Sequence, residues 1–199
     1  MSSIADDVMR TYQELIDEIN QEIDRIRNEY GRSPCPSNCF QCCSNTSTIP
    51  ISEVEARDLK RGLEALPPEI RQHIRQKAER TIKELEAKGY TPENMVKDTG
   101  MKAIDVVKGK SSGECPMLIG GVCSVYEHRP VICRVWGYPI DNGQELACCK
   151  KTFIGQHRNY KPLKYADYWQ RCRNLSDALG AKQKTPNCYL VVALLEDTS

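Results

Sequence analysis

The sequence predicts a mainly α single domain, with several helices around an irregular cysteine-rich core and little or no β-sheet. Three observations carry that expectation. Long stretches repeat apolar residues at spacings of three and four, the period of an amphipathic helix. Capping and stopping residues bracket those stretches. Between them lie segments dense in cysteine, glycine and proline with no helical period, the mark of irregular backbone held by something other than a hydrogen-bond ladder.

From Ile4 to Tyr30, the positions Val8, Tyr12, Leu15, Ile19, Ile23, Ile26 and Tyr30 fall on one helical face, with charged and amide residues between them. Gly31 stops this helix, and Pro34 and Pro36 prevent its resumption. Its seam suits the domain's own core and would also allow a homodimer. Ser52 and Glu55 have the spacing of a capping box and open a second helix to about Leu66, ended by Pro67-Pro68. A third, from about Pro68 to Lys88, carries Ile70, Ile74, Ala78, Ile82 and Leu85 on one face and stops at Gly89. Thr91-Pro92 opens a short fourth before Gly100, and Met101 to Val107 fits helix or strand. Residues 113–151 read as irregular. Tyr165, Trp169, Cys172, Leu175 and Leu179 share a helical face that ends at Gly180, while the apolar run Tyr189 to Leu195 fits a buried strand or a last helix. Residues 1–199 thus form one expected domain: an N-terminal helix over 1–31, a cysteine-rich region over 33–150 and a helical or apolar segment over 160–199.

At 199 residues with net charge +1 and 28% charged side chains, the balance indicates neither nucleic acid nor a membrane surface. No run approaches the roughly 18 apolar residues of a membrane span. The start MSSIADDVMR carries acids where a secretory signal would carry bases. We expect a cytoplasmic protein. There, thiols stay reduced, so 11 cysteines, an odd number, point to metal ligation rather than a disulfide framework.

The cysteines are grouped. Cys35, Cys39, Cys42 and Cys43 occupy nine residues, and Cys115, Cys123, Cys133, Cys148 and Cys149 follow after 71 residues without cysteine. Two distant groups suggest one site built across the fold, with the intervening helices folding back to return Cys115 to Cys43. Cys172 and Cys188 read as core packing. Spacing leaves two metals open. Four thiolates satisfy tetrahedral zinc, whereas the adjacent pairs Cys42-Cys43 and Cys148-Cys149 would diverge on extended backbone and so serve different irons of an iron-sulfur cluster. That argument favours iron-sulfur over zinc. Arg129 and Arg134, with Lys150 and Lys151, can donate charge-assisted hydrogen bonds to sulfur. Tyr126 and Trp136 would wall the site from water. The three histidines, His73, His128 and His157, are not assigned as ligands.

The string CPMLIGGVCSVYEHRPVICR with the upstream CxxxCxxCC group resembles the YkgJ-type cysteine-cluster family, described as zinc- or iron-chelating domains. The residues that carry the resemblance are Cys35, Cys39, Cys42, Cys43, Cys115-Pro116, Leu118, Gly121, Cys123, Tyr126, Arg129-Pro130, Cys133-Arg134 and one of Cys148 and Cys149. The resemblance spans roughly 33 to 150 and implies metal chelation without naming a reaction. Flagellin lysine methylases look like relatives through the same pattern. No phosphate loop, Ser-His-Asp set, paired carboxylates or nucleotide fingerprint points to a familiar catalytic class. Two functions follow as expectations. One is an iron-sulfur protein used for redox, sulfur or group-transfer chemistry. The other is a structural zinc protein that presents a surface to another macromolecule. Either partner, macromolecule or small molecule, is unnamed by the sequence.

Overall fold

The structure, a computed structural model, describes residues 3–31, 39–46, 49–92, 113–149, 151–153, 157–181 and 185–196, without the side chains of Asn45, His157 and Glu196. The protein is mainly α-helical: the described residues hold six helices and three antiparallel strand pairs, each strand two residues long. The expected fourth helix past Thr91-Pro92 and the segment Met101 to Val107 lie outside the described residues. Contacts gather into two compact units, 1–39 with 129–182, and 40–128 with 183–199. Each unit combines two pieces of chain, so no single point in the sequence separates them.

The first unit is organised by α1 (Ile4–Tyr30). Ser3 Oγ accepts the Asp6 N–H at 3.1 Å while the Ser3 N–H reaches the Asp6 carboxylate at 3.0 Å, closing a box that satisfies two end groups of the helix. At the other end Gly31 takes φ 76°, a left-handed value that favours glycine, and its N–H caps Arg27 O at 2.9 Å. Val8, Tyr12, Leu15, Ile16, Ile19, Ile23 and Ile26 are buried. Their stripe is taken up by α4 (Val131–Val135) and α5 (Tyr165–Ala178) of the same unit. A hairpin of β4 (Ile140–Asp141) and β5 (Leu146–Ala147) turns on Asn142, whose Oδ1 accepts the N–H groups of Gln144 and Glu145. Tyr30, Tyr138, Phe153 and Tyr160 stack beside it at centroid distances of 4.6 to 6.3 Å.

The second unit packs α2 (Glu53–Glu64), α3 (Pro68–Glu86) and α6 (Asn187–Glu196) around Leu59, Leu63, Ile74, Ala78, Leu85, Val191 and Leu195. The capping box at Ser52 is formed, with the Ser52 N–H donating to Glu55 at 3.0 Å. α6 is apolar around its whole circumference, so the run carried no helical period in sequence; its core position decides for helix. β1 (Pro50–Ile51) pairs with β6 (Thr185–Pro186), tying the start of α6 to the start of α2. β2 (Leu118–Ile119) and β3 (Val122–Cys123) form a hairpin across Gly120 and Gly121, both at positive φ, as a two-residue turn of this hand requires.

Candidate metal centre

In the second unit, Cys42 has helical backbone, φ −63° and ψ −37°, and leads into a 3-10 turn over Cys43–Asn45. The turn is closed by Cys43 N–H to Phe40 O at 2.9 Å and by Ser44 Oγ to Gln41 O at 2.8 Å. Successive side chains on such a turn do not alternate as they do in a strand. The Cys42 and Cys43 sulfurs therefore sit 3.9 Å apart. The expectation that these two thiols diverge is corrected here, because its premise of extended backbone does not hold. Two thiolates on one tetrahedral ion, with metal-sulfur bonds of about 2.3 Å, would lie roughly 3.8 Å apart. The pair fits one ion.

Cys115 comes back to the same turn: its N–H donates to Cys43 O at 2.7 Å. Cys115 is thus returned to Cys43, as expected from the sequence. From Cys115 the chain turns through Leu118 N–H to Cys115 O (3.1 Å) into the β2-β3 hairpin, where Cys123 stands opposite Leu118. Lys77 of α3 steadies the hairpin through Leu118 O at 2.6 Å. The environments of these thiols differ. The hydrogen bond from Cys43 stabilises the Cys42 thiolate and lowers its pKa to about 6, while burial pushes Cys115 up to about 11. Asn187 at the start of α6 donates Nδ2–H to Cys115 Sγ at 3.5 Å. Among the described residues, no three His, Cys, Asp or Glu side chains already surround a metal-sized position. Cys35, an expected ligand, lies outside the described residues.

The first unit holds Cys39, Cys133, Cys148 and Cys149. Cys133 is exposed on α4. Cys148 donates its thiol to Thr152 O at 3.7 Å, whereas Cys149 accepts the Lys151 N–H at 3.4 Å. Burial first, and then the neighbouring Cys149, raise the pKa of Cys148. Arg134 is buried, at 3% exposure, and its Nε donates to Arg129 O at 3.0 Å, so it is not a surface residue. Arg129 is half-buried, and Lys150 lies outside the described residues. Tyr126 is 50% exposed on a 3-10 turn of the second unit.

Two features escaped the sequence reading. The first is Asn187, 72 residues from Cys115 and without a local motif. The second is His128, whose Nδ1 pairs with the buried Asp58 carboxylate at 3.1 Å, and Asp58 also binds Arg61. Its ring rests on Gly62, where a Cβ would stand only 2.7 Å from it. A glycine inside α2 was the available signal, since an interior helical glycine is unfavourable unless something approaches closely. His73 is exposed, as expected of a residue with no chelating partner.

No curated protein and no solved structure matches the chain. One family model does, described as "CxxCxxCC: Putative zinc- or iron-chelating domain", over residues 34–145. That span takes in the upstream cysteines, the return at Cys115, the hairpin and Cys133, and leaves Cys148, Cys149 and α6 outside. A match over more than half of the sequence, together with soft thiol donors brought to one turn, places the protein in that family: the chain belongs to the CxxCxxCC zinc- or iron-chelating domains.

Proposed function

We propose that the protein is a structural zinc protein whose centre is a single ion held by thiolates of the second unit, and that it acts as a macromolecular interaction module. The observation that carries this reading is the 3.9 Å bite of Cys42 and Cys43, with Cys115 hydrogen-bonded to the same turn and Cys123 following on the hairpin. Those four residues make an all-sulfur donor set suited to a closed tetrahedral site. A bound ion would supply no reaction there; it would cross-link the upstream turn to the downstream hairpin. Support for a presenting surface comes from Phe40, Val122 and Tyr126, which are 45%, 65% and 50% exposed in the same unit. Large apolar side chains in water beside a rigid centre are a common feature of contact surfaces. No helix of the described residues is long and apolar enough to cross a membrane, and free thiols call for a reducing compartment such as the cytoplasm.

The second reading is an iron-sulfur centre used for redox, sulfur or group-transfer chemistry. It keeps one observation: Cys148 and Cys149 are engaged by separate backbone groups, as expected of neighbours serving different atoms. Anaerobic purification followed by metal analysis and absorption spectroscopy separates the readings. Colourless protein with about one zinc per chain supports the first. Brown protein with iron, acid-labile sulfide and broad visible absorption would replace it with the second.

A further inference from the structure

Asn187 is the first residue of α6 and lies outside the span that the family model covers. It is 3% exposed, fixed by its own N–H to Ile49 O at 2.9 Å and by the β1-β6 pair just before it. An asparagine at a helix start ordinarily serves the helix by accepting backbone N–H groups with its side-chain oxygen. Here Oδ1 is buried with no hydrogen-bond partner among the described residues. The amide instead turns Nδ2–H toward the buried sulfur of Cys115 at 3.5 Å. Capping does not account for that orientation, and burying an amide with one end unsatisfied is unfavourable. What the orientation does serve is the Cys115 sulfur, to which the amide offers a hydrogen-bond donor.

We infer that Asn187 is a positioning residue of the metal centre: its Nδ2–H···Sγ bond fixes where the Cys115 sulfur points when it serves as a ligand. The inference rests on the proposed reading of Cys115 as a ligand. Hydrogen bonds of this kind hold first-shell ligands in place and tune them, and losing one typically weakens metal binding about 10- to 100-fold. α6 thereby contributes to the centre without giving it a ligand, and Cys188 beside Asn187 stays a fully buried core residue.

The test uses the full chain loaded with Co(II), whose thiolate charge-transfer bands report on sulfur, with affinity read by chelator competition. Asn187→Leu removes the donor and also the unsatisfied oxygen, so the metal-free protein should melt at the same temperature or higher while Co(II) binds at least about tenfold more weakly. Its charge-transfer band should move to lower energy, because a sulfur without the N–H bond holds its electrons less tightly. Asn187→Ser, which keeps a donor, should recover part of both losses. If Asn187→Leu does not fold, Asn187→Ala, neutral and without a donor, set against Asn187→Ser gives the same contrast. Unchanged affinity and band position in the donor-free variant, with Cys115→Ser losing the metal, would overturn the role of Asn187 and leave the ligand assignment intact. Wild-type binding by Cys115→Ser, or no Co(II) uptake by the unaltered chain, would remove the reading beneath it.

Discussion

Cys42-Cys43 and Cys148-Cys149 are the same dipeptide in two backbones. The first pair begins a 3-10 turn, and its sulfurs face each other at 3.9 Å. The second lies in irregular backbone, where Cys148 gives its thiol to Thr152 O and Cys149 takes an N–H from Lys151. One pair is a bite; the other is two separately held thiols. Neighbouring cysteines therefore carry no fixed chelating geometry. The local dihedrals decide it, and the residues that set them here, Phe40, Gln41 and Ser44, bond through backbone and a hydroxyl rather than through any recognisable motif.

Removing one sulfur from each pair should have unequal effects. Cys43→Ser should weaken zinc binding by at least about a hundredfold in chelator competition, more than the loss of a supporting hydrogen bond. If Cys148→Ser has the same effect, the distinction between the pairs fails. Stripping the metal comes next. A site saturated to about 100 times its dissociation constant contributes about 2.7 kcal/mol, so chelation should lower the melting temperature by about 5–10 °C. Hydrogen exchange should rise in the turn and hairpin around Cys43 and Cys123 and not at Cys148-Cys149; uniform loosening would count against a centre confined to the second unit.

Gly62→Ala forces a Cβ against the His128 ring, whose own Cβ and Cγ would be 2.8 Å away, and should cost about 1–3 kcal/mol of stability. Metal affinity should barely change, since neither residue touches a cysteine pair in our assignment. His128→Ala in the same chain should restore most of the loss, and no rescue would show that the strain lies elsewhere. Smallest of all, Cys148→Ser should change stability by no more than about 1 kcal/mol, because a hydroxyl can make the same bond to Thr152 O. Cys149→Ser should cost more under the iron-sulfur reading and equally little under the zinc reading, which iron content after reconstitution would decide.

How much of this was legible in sequence depended on how local the signal was. α1 could be bounded at Ile4 and Tyr30 because a seven-turn apolar stripe ends at a glycine that adopts the left-handed cap. α2 could be started at Glu53 because Ser52 and Glu55 announce their box. α4 was hidden in a stretch read as irregular, since five residues are too few to show a period. The cysteines were legible as candidate metal donors by residue type, and the return of Cys115 to Cys43 by the length of helix available. The bite of Cys42-Cys43 was not, because it depends on two dihedral angles, and the contact of Asn187 with Cys115 depends on where separate segments come to rest.

The two-piece construction of the second unit also sets an order of events in synthesis. Asn187 follows Cys43 by 144 residues, which a ribosome adds in roughly 7–30 s at about 5–20 residues per second. Throughout that interval Cys42 and Cys43 are made, and Cys115 joins them partway, but the β1-β6 pairing and the helix that covers Cys115 do not yet exist. The nascent chain thus carries the Cys115 thiol well before the segment that buries it has been made.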